Sequence, residues 1–485
     1  MVSPPTEAVG WRAPLFVDGA WVCGADCSPV YDKFTGAQIG AVERASREQV
    51  TTAISGLRAS FERDRLDGQR RYQILHDTAG LIERRRKDFV DRIVAEAGFP
   101  VSDADQEVSR TIQTFLLSAE EAKRLTGEVV PIENAPGNAH RLGFTIRVPR
   151  GVVCGITSFN SPLNMVAHKL APALASGNTV VIKPPQNTPF SAVLLIELLL
   201  ESGLPPGHVA LVQGPGSDVG TWLVENPDIR FFSFTGSTAV GRLIRESVGL
   251  RPVALELGSI SATIVCGDAD LERAAPRCVN SGFRRAGQVC TSTQRLFVEE
   301  SVIDRFTMLL VEATKAIKVG DPRDPETVVG PMISEAEARR AEGWIAEAVR
   351  DGATVVHGGS RRGAILEPTI LVGTRPGMKV MSEEVFAPVL SVVPFQSLDQ
   401  AIREVNAVPF GLSAGVFTQQ INRAMFAARG LHVGIVHINE PSSSRVDLMP
   451  FAGVKDSGLG REGPRYAMQE MTEERLITWS LEIPR

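Results

Sequence analysis

Residues 152–213, VVCGITSFNSPLNMVAHKLAPALASGNTVVIKPPQNTPFSAVLLIELLLESGLPPGHVALVQ, alternate short apolar runs with longer helical stretches. VVCGIT, TVVIK and VALVQ are compact and rich in β-branched residues, whereas PLNMVAHKLAPALAS and PFSAVLLIELLLES are long enough to cross back over a sheet. Strand, crossover helix and strand is the pattern of a parallel sheet covered on both faces. It continues through SDVGTWLVEN, RFFSFT, STAVGRLIRESV and PVALELG, so one block holds five strand candidates. The expectation is an α/β fold whose first part is a doubly wound, Rossmann-like dinucleotide-binding half. Residues 192–200, the longest apolar stretch, contain Glu197 and fall far short of the roughly 20 residues a membrane helix needs. They read as a buried amphipathic helix.

A second α/β block begins at ATIVC (262–266) and runs through LERAAPRCVNSGFRRAG, RLFVEE, a helix over residues 302–317, and the strands SAGVFT and VGIVHIN. The chain before residue 126 reads as mostly helical, with amphipathic patterns over 50–62 and 71–96. IENAPGNAH (132–140) and VGDPRDPETVVGP (319–331) read as linkers, and no internal repeat is visible.

At 485 residues the chain has room for two or three domains with real cores. Its 43% hydrophobic and 22% charged residues exclude bulk disorder, and its 44 glycines and 31 prolines lack a collagen period. A net charge of -5 offers no basic field for a nucleic acid. The six cysteines, Cys23, Cys27, Cys154, Cys266, Cys278 and Cys290, lack the paired CxxC spacing of a structural zinc site, so no metal is expected. The start, MVSPPTEAVGWRAPLF, shows no basic segment followed by an apolar core, and the end shows no lipidation box. A cytoplasmic protein with reduced thiols and no membrane partner is expected.

FRRAGQVCTST places Cys290 among small and polar residues where a helical pattern gives way to a strand. A lone cysteine is usually a small buried hydrophobe. Here it is accompanied by SFNSP (158–162), TVVIKP (179–184), FTGSTAVG (234–241), LELG (255–258) and EEVFAPV (383–389). With these motifs in this order, the chain resembles the aldehyde dehydrogenase superfamily over essentially its whole length. MPFAGVKDSGLGREGPRYAMQEMTEE, GQVCTS and FNSPLNMVAHK are most similar to the branch of lactaldehyde, phosphonoacetaldehyde and non-phosphorylating glyceraldehyde-3-phosphate dehydrogenases.

The resemblance implies an NAD(P)-dependent oxidation of a small aldehyde to the acid, and the residues make chemical sense of it. Cys290 would be the nucleophile, passing through a thiohemiacetal to a thioester. Asn160 would donate its amide to the developing oxyanion, and Glu256 would be the base that activates water. For NAD or NADP, the resemblance assigns Lys183 and Gln186 to the adenosine ribose, Gly236 and Ser237 to the phosphates at a helix N-terminus, Glu384 to the nicotinamide ribose, and Phe386 and Phe159 to the ring's surroundings. It implies a cofactor domain over 1–126 and 147–256, a catalytic domain over 257–459, and an oligomerisation arm over 127–146 and 470–485. Edges of that arm would pair between subunits, giving a homodimer or homotetramer.

Departures from the family pattern bear on specificity. Ser259 and Ala452 stand where glycines are usual, and Gln186 replaces a glutamate that favours NAD over NADP. Arg110 and Arg445 match positions that approach anionic substrates in relatives, which implies an anionic or hydroxyl-bearing tail, although Val289 stands where those relatives often have a further arginine and the substrate-side Ser161 where some carry a larger polar group. A CoA-acylating dehydrogenase and a catalytically inactive nucleotide-binding partner are the alternatives. Glu256 favours hydrolysis over acyl transfer to CoA.

Overall fold

The computed structural model describes residues 10–481. The first nine residues, read above for a targeting segment, and 482–485 at the end of the expected arm lie outside them.

The five strands expected between residues 152 and 256 all form. In spatial order they are Val253–Glu256, Ile229–Thr235, Val152–Ile156, Thr179–Lys183 and Val209–Leu211, paired in parallel. Antiparallel strands extend both edges of this eight-stranded sheet: Gly458–Leu459 beside Val253–Glu256, and Leu15–Val17 with Ala20–Val22 beyond Val209–Leu211. Gly458–Leu459, expected in the second domain, thus closes the edge of the first sheet.

The N-terminal region is mostly helical, as expected, but opens with strands that the sequence did not suggest. Besides Leu15–Val17 and Ala20–Val22 it contains Trp11–Ala13, Asp26–Tyr31 and Gln38–Arg44, which form a separate three-stranded sheet. Trp11–Ala13, Leu15–Val17 and Ala20–Val22 are runs of three residues, too short to display alternation. Helices then follow: α1 (Arg47–Arg63), α2 (Gly68–Arg84), α3 (Arg86–Ala97) and α4 (Val101–Ala122). Ser46 and Gln49 form a reciprocal capping box at the start of α1. The pattern over 71–96 is two helices rather than one, because the backbone of Arg85, at φ −102° and ψ 18°, leaves the helical region and ends α2. The buried face of α4 carries Glu107, Thr111, Thr114 and Ser118. Such a polar stripe needs partners inside the protein.

The crossover helices are α5 (Asn164–Ala175), α6 (Phe190–Glu201), α7 (Thr221–Glu225) and α8 (Thr238–Ser247). Helix α6 is buried on nearly every side rather than amphipathic. The Glu96 carboxylate accepts from the backbone N–H groups of Phe190 and Ser191 at its start, 2.7 and 3.0 Å away.

A second, seven-stranded sheet runs in the order Thr354–His357, Thr369–Val372, Val389–Phe395, Arg295–Glu299, Ala262–Val265, Ser413–Phe417, Ile435–Ile438. Helix α9 (Leu271–Phe283) packs on it and leads into the Cys290 turn. The third sheet joins Val129–Val130, Arg141–Pro149 and Thr472–Ser480. IENAPGNAH is therefore the turn of a β-hairpin and not a linker. VGDPRDPETVVGP is likewise a folded loop, closed on itself by a bridge between Val319 and Val329. No helix among the described residues is long and apolar enough to cross a membrane.

Candidate active site

Parallel strands end together, so the loops at their C-terminal ends converge on one crevice. Three such segments supply the site, namely the turn after Val152–Ile156 (Phe159, Asn160, Ser161), the turn after Ile229–Thr235 (Gly236, Ser237) and the last residue of Val253–Glu256; two segments that lead into strands of the second sheet complete it, the turn before Arg295–Glu299 (Cys290) and the approach to Val389–Phe395 (Glu384, Phe386). All of these residues line one cavity of about 270 Å³, as do Arg110 from α4 and Arg445. Lys183 and Gln186 lie on the next strand end and do not border that cavity.

Cys290 is partly open to the cavity, and its enclosure pushes the thiol up to about 12. The Arg445 guanidinium opposes this, while Glu256, Glu384 and Glu462 add to it. Glu256 is buried, and neither of its carboxylate oxygens has a hydrogen-bond partner. Burial first, and the Glu462 charge second, hold its carboxyl well above the ordinary range. Asn160 Oδ1 accepts from the Ser158 hydroxyl at 2.7 Å, which leaves the amide nitrogen as the group free to donate. Ser161, buried, accepts from Arg285 at 3.2 Å.

A helix N-terminus exposes unpaired N–H groups, and Ser237 caps that of α8, accepting from Val240 N at 3.4 Å. The backbone N–H of Gly236 donates to the Glu256 carbonyl at 3.0 Å, tying the two strand ends together. Glu384 accepts from Ser259 N at 2.8 Å, and burial raises its carboxyl to about 7. A Cβ on Gly258 would sit 2.7 Å from Glu384 Oε2, so the glycine is what allows this approach. Ser259, in place of the usual glycine, needs no left-handed backbone; its hydroxyl meets Ser261 Oγ at 2.9 Å. Phe386 sits at φ 50° with its ring edge-to-face to Phe159, centroids 5.9 Å apart. Lys183 is buried, pushed down to about 8 by that burial, and its ammonium makes one hydrogen bond, to the Pro184 carbonyl at 3.3 Å. An ammonium has three donors, so the lysine retains capacity for ribose hydroxyls. This donor and acceptor set fits a dinucleotide.

The sequence named Arg110 and Arg445 but not the carboxylates that hold them, nor Arg284. Arg110 is held by Asp447 at 2.7 and 3.2 Å. Arg445 lies 3.3 Å from Glu462 and stacks 3.8 Å above the Phe451 ring. Glu462 also pairs with the buried Lys169 at 2.6 Å, and Asp447 with His168 at 2.9 Å. Burial would raise the Asp447 carboxyl, but the hydrogen bond and charge of His168, together with Arg110, outweigh it and hold it far below the ordinary range. Arg284 also lines the cavity. It makes only a 3.4 Å bond to Gln106, and its buried Nε has no partner. Burial lowers it to about 10. Among the described residues no cluster of His, Cys, Asp and Glu could hold a metal.

The chain belongs to the aldehyde dehydrogenase family, which it matches over residues 21–477. It is an NAD(P)-dependent dehydrogenase with the family's α/β fold. It is 44% identical to a 3-sulfolactaldehyde dehydrogenase of Priestia megaterium, over 96% of this chain and 98% of that protein. A lactaldehyde dehydrogenase of Methanococcus maripaludis is 38% identical over 96% of this chain and 99% of its own length. The solved NADP-dependent glyceraldehyde-3-phosphate dehydrogenase of Bacillus halodurans, complexed with NADP, superposes with a TM-score of 0.95 at 36% identity, covering 97% of this chain and 100% of that one.

Proposed function

We propose that the enzyme oxidises a short aldehyde bearing a hydroxyl or monoanionic group to its carboxylic acid, through a thioester on Cys290 that water hydrolyses. The observation that carries this reading is Glu256: a carboxylate with two unpartnered oxygens, buried in the cavity that contains Cys290. A buried acceptor with no partner is costly, and the cost is understandable where a water must be gripped during turnover.

The Cys290 thiol gives up its proton to solvent, a loss that burial opposes and the Arg445 charge favours, and the resulting thiolate attacks the aldehyde carbon. Asn160 donates its free amide to the oxygen as charge develops there. A bound nicotinamide supplies the hydride acceptor; Ser237, Lys183, Gln186 and Glu384 are the residues that would hold the dinucleotide, with Phe159 and Phe386 bordering its ring. Glu256 then takes a proton from the water that attacks the thioester carbon, and the Cys290 sulfur leaves. Because Glu256 is present and unencumbered, water rather than CoA is the acyl acceptor in this reading.

Five guanidiniums border the cavity, but Arg110, Arg285, Arg340 and Arg445 are already matched to Asp447, Glu107, Glu337 and Glu462. Arg284 is the uncommitted one, and a single unmatched guanidinium suits a sulfonate or carboxylate better than a dianionic phosphate. Similarity to 3-sulfolactaldehyde and lactaldehyde dehydrogenases supports the same chemistry. The reading includes a homodimer or homotetramer in the cytoplasm and a division into cofactor, catalytic and arm regions. The strand Thr472–Ser480 is an edge with exposed Leu476 and Trp479, which would suit pairing between copies.

Steady-state rates with 3-sulfolactaldehyde, lactaldehyde, succinate semialdehyde, glyceraldehyde 3-phosphate and propanal test the proposal. The expected result is a kcat/KM for 3-sulfolactaldehyde or succinate semialdehyde about tenfold or more above that for propanal, equivalent to roughly 1.4 kcal/mol. Equal values, or a preference for the phosphate, would remove the monoanion assignment.

A further inference from the structure

Just before Cys290 the backbone passes through three successive left-handed residues: Arg285 at φ 52°, Ala286 at φ 53° and Gly287 at φ 68°. Glycine is required at the third, where a Cβ would fall 2.1 Å from the Ala387 carbonyl oxygen. Arg285 and Ala286 carry side chains, and such residues hold this conformation only where their surroundings impose it.

The Arg285 side chain shows what is gained. It is 4% exposed, and its guanidinium lies over the Phe99 ring, 4.6 Å from the centroid. Its Nη1 donates to the Asn160 carbonyl at 3.1 Å and to Ser161 Oγ at 3.2 Å. The same nitrogen is 3.2 Å from Glu107 Oε2 on α4, and Nη2 donates to the Asp103 carbonyl at 3.3 Å. The other oxygen of Glu107 accepts from Leu163 N at 2.9 Å and Asn164 N at 3.1 Å. One guanidinium–carboxylate pair therefore fastens both ends of the segment from Asn160 to Asn164 to α4. The backbone of Arg285 is tied to the turn before Cys290, because Gln288 Nε2 donates to its carbonyl at 3.2 Å.

We propose that Arg285 is a positioning residue that fixes the oxyanion-binding amide of Asn160 relative to the Cys290 sulfur. The strained backbone delivers the guanidinium to the oxyanion turn, and the buried pair with Glu107 keeps it there. Both anchor points belong to one rigid unit, so the Asn160 donor is already aimed when the tetrahedral adduct forms. Preorganised donors act this way, and misplacement by about 1 Å can cost on the order of a hundredfold in rate. The proposal rests on the roles given above to Asn160 and Cys290.

A double-substitution cycle on the full-length enzyme tests it, reading the single-turnover rate of cofactor reduction and the KM for cofactor. Asn160→Ala is expected to lower that rate by about a hundredfold or more. Arg285→Met should lower it by roughly tenfold or more while leaving the cofactor KM within about twofold. In the Asn160→Ala background, Arg285→Met should cost less than about threefold further, because the donor it positions is gone. Effects that multiply, or an Arg285→Met rate within about threefold of the parent, would overturn the proposal. Should Asn160→Ala prove harmless, the oxyanion assignment would fail first, and the clamp with it. Arg285→Met leaves Glu107 buried without its cation. If that variant does not fold, Arg285→Lys runs the same cycle: it keeps the charge, loses the fork, and should show a smaller rate loss that is again absent without Asn160.

Discussion

Asp447 accepts two hydrogen bonds from the Arg110 guanidinium, from Nη2 to Oδ1 at 2.7 Å and from Nε to Oδ2 at 3.2 Å. The same Oδ1 meets the buried His168 Nε2 at 2.9 Å, so the half-buried arginine faces the cavity backed by a buried carboxylate and imidazole. Its charge is largely spent on a protein carboxylate. Arg284, with one long bond, keeps its charge for a ligand.

The substrate prediction follows from that asymmetry. Arg284→Met should raise KM for succinate semialdehyde by about tenfold or more and change that for propanal by less than about threefold. Arg110→Met should have a smaller selective effect and a clear loss of thermal stability, because it strands Asp447 in the interior. Steady-state kinetics and melting curves separate the two; equal effects of Arg284→Met on both aldehydes would make Arg284 a structural residue.

Glu256 sets the expected pH dependence. Only its ionised form can accept a proton from water, and burial raises its carboxyl well above 4.5. Thioester hydrolysis should therefore slow as pH falls through that raised value, at a pH where an ordinary glutamate would still be fully charged. Rapid-mixing measurements of the hydrolytic step across pH check this. The acid limb should vanish in Glu256→Gln, whose hydrolysis is slow at every pH.

Cofactor preference turns on Gln186, a neutral amide close after the buried Lys183. NADP should be accepted, and Gln186→Glu should shift the ratio of kcat/KM values toward NAD by about tenfold, since like-charge repulsion would then reject a 2'-phosphate. An unchanged ratio would place the discrimination elsewhere.

The parallel core was legible because strands such as Val152–Ile156 and Thr179–Lys183 are buried on both faces and read as unbroken apolar runs. Leu15–Val17 and Ala20–Val22 were hidden because a three-residue strand has no period to detect. Cys290, Asn160 and Glu256 could be recognised from local motifs, and the structure brings them to one cavity. The ionic residues around them could not. Arg110 and Asp447 are 337 positions apart, and Lys169 and Glu462 are 293 apart, so no local pattern pairs them. The sequence offered Arg110 as a substrate contact and gave no sign of its carboxylate partner. One trace was available: Glu107, Thr111 and Thr114 share one buried face of α4, a polar stripe at helical spacing where an apolar one would be the default.

The central claim is a covalent acyl intermediate on Cys290 released by Glu256. It is tested by mixing the Glu256→Gln enzyme with aldehyde and oxidised cofactor, quenching in acid within one turnover, and mapping peptides by mass spectrometry. The account predicts a burst of reduced cofactor matched by an acyl adduct on the peptide containing Cys290, with no burst and no adduct after Cys290→Ala. A full burst with no adduct on that peptide, or an adduct on any other cysteine, would contradict it.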